Sequence, residues 1–237
     1  NHLHQITFLK RGVCALSQAD KYMLVSSIAI ALVAMGAWQI VVAWCVLSML
    51  LCGLSYAYFG VHILNKSQEG NFPFLSLVAN APWRWEYTAV VAFESLRRTP
   101  ASNEIRPGLW LGRYPMKGDL PEGVKLVVDL TAVLPKPKVV SENMDYLCLP
   151  TLDGYAPEAG PFLELVEKVA RYEDPVLIHC ARGRGRSATF MAAVLVKRGL
   201  ASDVEQANAM MQEARPCVRL HRQQLELLNA LPLERIA

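Results

Sequence analysis

From Tyr22 to Asn65 the chain runs for 44 residues without an Asp, Glu, Lys or Arg. As one helix that run would be about 66 Å long, twice the hydrocarbon thickness of a bilayer, whereas two helices of about 20 residues each fit it. Their turn is expected near Gly36-Ala37-Trp38-Gln39. Soluble core helices rarely lack charge over such a length, and a cleavable signal peptide is shorter and nearer the terminus. The pattern therefore predicts an α-helical transmembrane hairpin over residues 22–65, after a short basic lead-in at residues 1–21.

The pattern changes after Asn65. Asn71 to Val78 is apolar but short, with Pro73 inside it and Pro82 close behind, and Trp83, Trp85 and Tyr87 alternate with Arg84 and Glu86. Aromatics beside arginines suit the headgroup level of a bilayer, so residues 66–99 read as an interfacial or re-entrant linker. A helix packed on the following domain is the alternative. From residue 100 to 237 apolar positions fall into short runs separated by turn residues. Glu104 to Gly112 predicts a hairpin, and Val124–Leu130, Tyr146–Leu149 and Val176–Cys180 predict strands. Phe162, Leu163, Leu165, Val166 and Val169 share one helical face within residues 161–172. Further helices are expected over 187–199, 203–213 with Ser202 as N-cap, and 222–231. Strands alternating with helices predict one α/β domain whose central sheet is mostly parallel and flanked by helices.

Charge sharpens this division. Residues 1–99 hold seven Lys/Arg and four Asp/Glu, while residues 100–237 hold seventeen of each, so the net +3 lies wholly in the first part. Such a distribution reads as membrane topology and lipid-surface attraction and excludes nucleic acid as the expected partner. Both flanks of the apolar run are basic, with Lys10, Arg11 and Lys21 before it and Lys66, Arg84, Arg97 and Arg98 after it. By the positive-inside rule, both ends of the hairpin and the domain that follows face the cytoplasm. The six cysteines (Cys14, Cys45, Cys52, Cys148, Cys180, Cys217) form no CxxC pair and no metal-ligand spacing, so no metal or other cofactor is expected and a reducing compartment is.

The richest chemistry lies in His179-Cys180-Ala181-Arg182-Gly183-Arg184-Gly185-Arg186-Ser187. An apolar strand delivers a cysteine into a glycine-rich loop that runs straight into a helix. Successive backbone N–H groups and the helix dipole can cradle a tetrahedral oxyanion there. The same field favours a thiolate, lowering a cysteine below its free pKa of about 8.5. Arg186 can grip two phosphate oxygens in a bidentate fork. Nucleophile, anion cradle and cationic clamp together are the equipment of a cysteine-dependent phosphatase.

The HCxxGxxRS string between strand and helix resembles the protein tyrosine phosphatase superfamily, and the domain's spacing resembles its compact dual-specificity branch. The likeness covers about residues 102–231 and rests also on Ile105-Arg106-Pro107-Gly108-Leu109-Trp110-Leu111-Gly112, on Val128–Thr131, on Asp153 and on Ala214-Arg215-Pro216. It implies a compact dual-specificity-phosphatase-like fold and a catalytic set of Cys180, Arg186, Asp153 and Ser187. In that set Cys180 is the nucleophile that becomes a phosphocysteine, and Arg186 stabilises the transferring oxygens. The amides of Ala181, Arg182, Gly183, Arg184, Gly185 and Arg186 hold the phosphate, and Ser187 steadies the thiolate. Asp153 matches the general acid, with Glu158 as competitor. His179 supports the loop from behind, Arg215 braces it, and Asp129 is structural. Gln224 either positions the hydrolytic water or faces solvent.

Arg182 and Arg184 add two cations beside Arg186 and resemble the loops of lipid-directed members of the superfamily, those acting on phosphoinositides and phosphatidylglycerophosphate. An apolar N-terminal segment before such a domain is similar to bacterial membrane-bound phosphatases of this type. The expectation is therefore a membrane-anchored phosphatase whose partners are the bilayer and a phospholipid headgroup. The alternatives are a dual-specificity protein phosphatase acting on membrane-proximal phosphotyrosine or phosphoserine, and a non-catalytic phosphate-binding scaffold. The scaffold is disfavoured because Cys180, Arg186 and Asp153 are all present.

Overall fold

The computed structural model describes residues 23–24, 26–31, 35–96 and 99–235. The chain divides into two compact units, Asn1–Val46 and Leu47–Ala237. In the first, residues 26–31 are helical and residues 35–37 form a turn, where the expected hairpin was to reverse. The 1–21 lead-in and parts of the first hairpin arm, residues 22, 25 and 32–34, lie outside the described residues, as do Arg97 and Arg98.

Among the described residues one helical run, Trp38–Ile63, is long and apolar enough to cross a membrane, at 26 residues. It consists of α1 (Trp38–Leu54), a π-helical stretch (Ser55–Phe59) and a 3₁₀ turn (Gly60–Ile63). Gly60 ends the π-helical stretch with φ 58°, a left-handed conformation that costs glycine little.

The border expected at residues 99/100 is not an edge of the second unit, which already begins at Leu47. The reason is burial. Two short helices, α2 (Phe74–Ala79) and α3 (Ala81–Leu96), follow the apolar run. Pro73 and Pro82 sit at helix starts, where a missing N–H costs nothing, so they begin these helices and do not interrupt one. Trp83 and Leu64 pack against Ala132, Val133 and Leu152, and Val91 packs against Leu134 and Ala181. Arg84 lies 3.9 Å from the centroid of the Phe72 ring and is buried in the protein. Of the expected aromatic belt only Trp85 is largely exposed.

The domain proper is a five-stranded sheet of order β1-β2-β5-β3-β4, with β1 (Ser102–Arg106), β2 (Leu109–Gly112), β3 (Leu126–Thr131), β4 (Asp145–Thr151) and β5 (Val176–His179). Only the β1–β2 hairpin is antiparallel; β2–β5, β5–β3 and β3–β4 are parallel. Residues alternate between the faces of β3. Leu126, Val128 and Leu130 join the main core with α4 (Ala159–Ala170), α5 (Arg186–Lys197), α6 (Val204–Ala214) and α7 (Arg222–Ala230), while Val127 packs on the other side with Val124, Val140 and Leu177. Every residue of α5 is buried, which fixes the helix that carries the phosphate loop. The N-cap of α6 is Asp203 and not Ser202. Asp203 Oδ1 accepts from the Gln206 backbone N–H at 2.8 Å, and the Ser202 hydroxyl donates to Asp203 instead.

Candidate active site

The parallel register of β3 and β5 places Asp129 beside His179, at the end of the sheet where β5 releases Cys180. Sites in parallel sheets form at this carboxyl edge, where loops leave neighbouring strands. The loop closes tightly. Gly183 has φ 69°, and a Cβ there would lie 2.4 Å from the carbonyl carbon of Gly112, so no other residue fits.

Inside the turn the Cys180 sulfur accepts from the Gly183 N–H at 3.2 Å and from the Ser187 hydroxyl at 3.3 Å. Burial pushes this thiol up. The Arg186 guanidinium and hydrogen bonds from Ser187 and the Arg184 backbone outweigh it and hold the group below its ordinary value. Arg186 donates to the Thr151 carbonyl at 2.8 Å and lies 3.1 Å from an Asp153 oxygen, so the ends of β3 and β4 aim its fork into the loop. Burial opposes the charge on Arg186, but Cys180 and Asp153 over-compensate and raise its pKa.

Asp153, Cys180, Arg182, Arg184 and Gly185 line one cavity of about 390 Å³ together with Cys217, Arg219 and His221. The structure thus brings the expected acid to the expected nucleophile. Glu158 is not among the lining residues; it occupies the N-cap position of α4. The loop bearing Asp153 is held from two sides. The Tyr155 hydroxyl donates to the Tyr56 carbonyl at 3.1 Å, and Gln224 donates to the Tyr155 carbonyl at 3.3 Å. Gln224 is fully buried, with its Oε1 accepting from the His221 backbone N–H in a capping box, so the solvent-facing reading of it fails. Arg215 braces the loop through the Gly183 carbonyl at 2.9 Å and Asn103 at 2.7 Å.

His179 is buried with Nδ1 3.4 Å from the Cys180 carbonyl, and burial holds its pKa low. Behind it lies Asp129, which accepts from Lys66 at 2.8 Å and from the Tyr146 hydroxyl at 2.7 Å. Both Lys66 and Asp129 side chains are fully buried. The sequence marks Lys66 only as a basic flank of the apolar run, with no sign of a buried partner.

Arg184 departs furthest from expectation. Its guanidinium meets both carboxylate oxygens of Glu94 on α3, each at 2.9 Å, so its charge is already matched. Arg182 is the looser of the two added cations, 3.7 Å from Asp153 and 45% exposed. Nothing in the sequence marks Glu94 for this role. A larger cavity of about 530 Å³ lies along Tyr146, Leu149 and Lys168, but its cysteine, Cys148, is pushed up to about 12, first by burial and then by Asp129. A thiol so protonated is no nucleophile.

The model of the dual specificity phosphatase catalytic domain matches residues 113–231, half of the chain. The chain belongs to this family. It therefore carries the catalytic domain of a class of phosphoric monoester hydrolases within the protein tyrosine phosphatase superfamily. It is 28% identical over 186 residues to dual specificity protein phosphatase 16 of Homo sapiens, covering 73% of this chain and 27% of that protein. Tyrosine-protein phosphatase vhp-1 of Caenorhabditis elegans is 27% identical over 99 residues, 40% of this chain and 15% of that one. The chain thus spans about a quarter or less of the length of these two relatives. Among solved structures, human tyrosine phosphatase-like serine/threonine/tyrosine-interacting protein aligns with a TM-score of 0.49 at 26% identity, over 55% of this chain and 95% of that one. PTPMT1 in complex with PI(5)P aligns with a TM-score of 0.47 at 25% identity, over 54% of this chain and 92% of that one.

Proposed function

We propose that the chain is a membrane-bound phosphatase that hydrolyses phosphomonoesters through a phosphocysteine on Cys180, with the phosphate of a phospholipid headgroup, phosphatidylglycerophosphate or a phosphoinositide, as substrate. The chemistry rests on one observation: Cys180 and Asp153 line a single cavity, and Arg186 lies between Thr151 and Asp153 with its guanidinium tied to both. The Cys180 thiolate attacks phosphorus as the bond to the leaving oxygen breaks, and Asp153 gives that oxygen its proton. Arg186 and the loop amides hold the three equatorial oxygens, whose charge changes most in the transition state. Water then attacks the phosphocysteine while Asp153, now a carboxylate, takes its proton. The sulfur leaves as a thiolate received by the Ser187 hydroxyl and the Gly183 N–H.

The lipid reading is supported by the apolar Trp38–Ile63 run, which precedes the five-stranded sheet along the chain, and by Phe74 and Leu75 of α2, both more than three-quarters exposed. Tethering beside a bilayer raises the effective concentration of headgroups far above that of a soluble substrate. The pairing of Arg184 with Glu94 leaves Arg182 as the cation for a second anionic group. In this reading residues 22–65 form a two-helix hairpin in a bacterial inner membrane, with the catalytic domain on the cytoplasmic side. Membrane-proximal phosphoprotein is the second reading, favoured by the protein-phosphatase names of the curated relatives. Phosphate release by the membrane-embedded chain from phosphatidylglycerophosphate, phosphoinositides and phosphotyrosine and phosphoserine peptides separates the two. Lipid turnover with kcat/KM at least tenfold above any peptide is expected, and release from peptides but from no lipid overturns the proposal.

Ser187→Ala removes one of the hydrogen bonds that lower the Cys180 pKa. A charge-assisted bond of this kind is worth about 1.5 kcal/mol, or about one pH unit. The acid limb of the pH profile of kcat/KM reports thiol deprotonation, so it should move to higher pH by about that amount. An unmoved limb would show that Ser187 does not hold the thiolate.

A further inference from the structure

Asp153 can act as the acid only while its carboxyl stays beside the leaving oxygen, and its own ion pairs do not ensure that. Its oxygens lie 3.1 Å from Arg186 and 3.7 Å from Arg182. Both pairings weaken when Asp153 takes up the proton it must deliver, and Arg186 is needed by the phosphate once substrate binds. A Cβ at Gly154 would meet nothing within 4 Å, so the turn after Asp153 has no packing of its own. The residues on either side of that turn are the ones that are held. Leu152 is buried in one cluster with Leu64 and Trp83, against which Tyr56 and Tyr87 pack. The Tyr155 hydroxyl donates to the Tyr56 carbonyl at 3.1 Å, and the two rings meet edge-on with centroids 5.5 Å apart.

We propose that Tyr56 and Tyr155 are positioning residues for Asp153, and that the π-helical end of the apolar run is the element that keeps the acid beside the phosphate site. The proposal rests on the reading of Asp153 as general acid and is independent of the lipid substrate. Tyr56, Leu64, Trp83 and Tyr87 all precede residues 113–231, so this holder lies outside the matched family domain. The Gly60 N–H donates to the Ser55 carbonyl and the buried Ser55 hydroxyl donates to the Gly60 carbonyl, which closes the π-helical stretch on itself. Such stretches within helices occur frequently at functional sites. Tyr56 is in turn backed by α3, with its hydroxyl 3.2 Å from that of Tyr87 and its ring centroid 6.2 Å from that of Trp83. Gln224 of α7 donates to the Tyr155 carbonyl at 3.3 Å. Tyr155 is thus fixed by both its backbone and its side chain.

Leaving groups of different basicity isolate the acid. Phenol, with a pKa of about 10, needs a proton to depart, whereas dinitrophenolate leaves without one. The value of kcat/KM covers the steps up to that departure, so attack of water on the phosphocysteine does not enter it. The chain in one detergent is given phenyl phosphate and dinitrophenyl phosphate, and the phenyl-to-dinitrophenyl ratio of kcat/KM is compared between variants. Asp153→Asn should lower that ratio by about 10²-fold or more. Tyr155→Ala removes a hydrogen bond and a ring contact from a side chain that is 40% exposed, and should lower it about tenfold. Tyr155→Phe keeps the ring and Tyr56→Leu keeps the accepting carbonyl, so each should lower it about threefold. Combining Tyr56→Leu with Tyr155→Ala should lower it no further than Tyr155→Ala alone, because the two act through one contact. A role in stability alone would reduce turnover of both esters equally. A ratio held within about twofold in all the tyrosine variants, with the Asp153→Asn loss present, overturns the positioning role and leaves the acid in place. A ratio that Asp153→Asn leaves unmoved puts the acid elsewhere and overturns that reading and the positioning role together.

Discussion

Cys180→Ser is expected to lower phosphate release by about 10⁵-fold or more, the scale seen when a covalent nucleophile is removed. The loop lowers a thiol's pKa by a guanidinium and a few hydrogen bonds, and these do not suffice to ionise an alcohol at neutral pH. The rest of the site is untouched, because Arg186 is held by Thr151 and Asp153 and not by the sulfur alone. The variant should therefore still bind a phosphate-like oxyanion such as tungstate. Two readouts check this: phosphate release over hours, and a tungstate-induced rise in melting temperature, which persists only if the oxyanion binds the folded state. A serine variant retaining a tenth of the original rate would place the nucleophile elsewhere.

Lys66→Met is expected to cost about 3–5 kcal/mol of stability, the usual penalty for leaving one member of a buried ion pair unpaired. Lys66 donates to Asp129 at 2.8 Å and to the Thr131 carbonyl at 2.8 Å, with no exposed side-chain surface on either ionic partner. In the intact protein burial raises the Asp129 pKa, but Lys66 and then His179 lower it further, so the net shift is downward. A carboxylate with a depressed pKa contributes stability that is present above its unfolded pKa of about 3.9 and lost as pH falls through the folded value. Without Lys66 burial dominates and the carboxylate is penalised most when ionised. The stability gap between the two proteins should then be widest near neutral pH and narrow on acidification toward pH 4. Urea unfolding of both proteins in detergent at pH 7 and pH 4.5 measures it. A gap under 1 kcal/mol at pH 7, or one that widens in acid, would show that the pair does not secure the segment behind His179.

Features carried by consecutive residues were legible in the sequence. The strand, glycine loop and helix around Cys180 announce themselves because each part fixes the next over nine residues, and Gly183 is glycine for a reason visible in its φ. The mostly parallel sheet was legible too, since strands separated by amphipathic helices have few other ways to bury both faces. What stayed hidden depends on contacts between distant residues. Arg184 reads as a free cation in the sequence, yet one of its guanidinium nitrogens donates to both carboxylate oxygens of Glu94, 90 residues earlier. Residues 66–99 read as interfacial because periodicity cannot tell a helix face buried in protein from one facing lipid. Trp83 and Val91 take the first course, whereas Trp85 and Phe93 remain exposed. The sequence leaves Gln224 open between positioning water and facing solvent; its backbone and side-chain partners at His221 and Tyr155 let it be buried without loss.

The most direct test combines the chemistry with the substrate. The membrane-embedded chain is mixed with phosphatidylglycerophosphate carrying a radioactive terminal phosphate, quenched within milliseconds, digested, and the labelled peptide identified. A burst approaching one label per protein on the peptide containing Cys180, absent from Cys180→Ser, is the predicted result. Lipid turnover with no label on Cys180, or label on Cys180 from phosphopeptides but never from lipid, would contradict it.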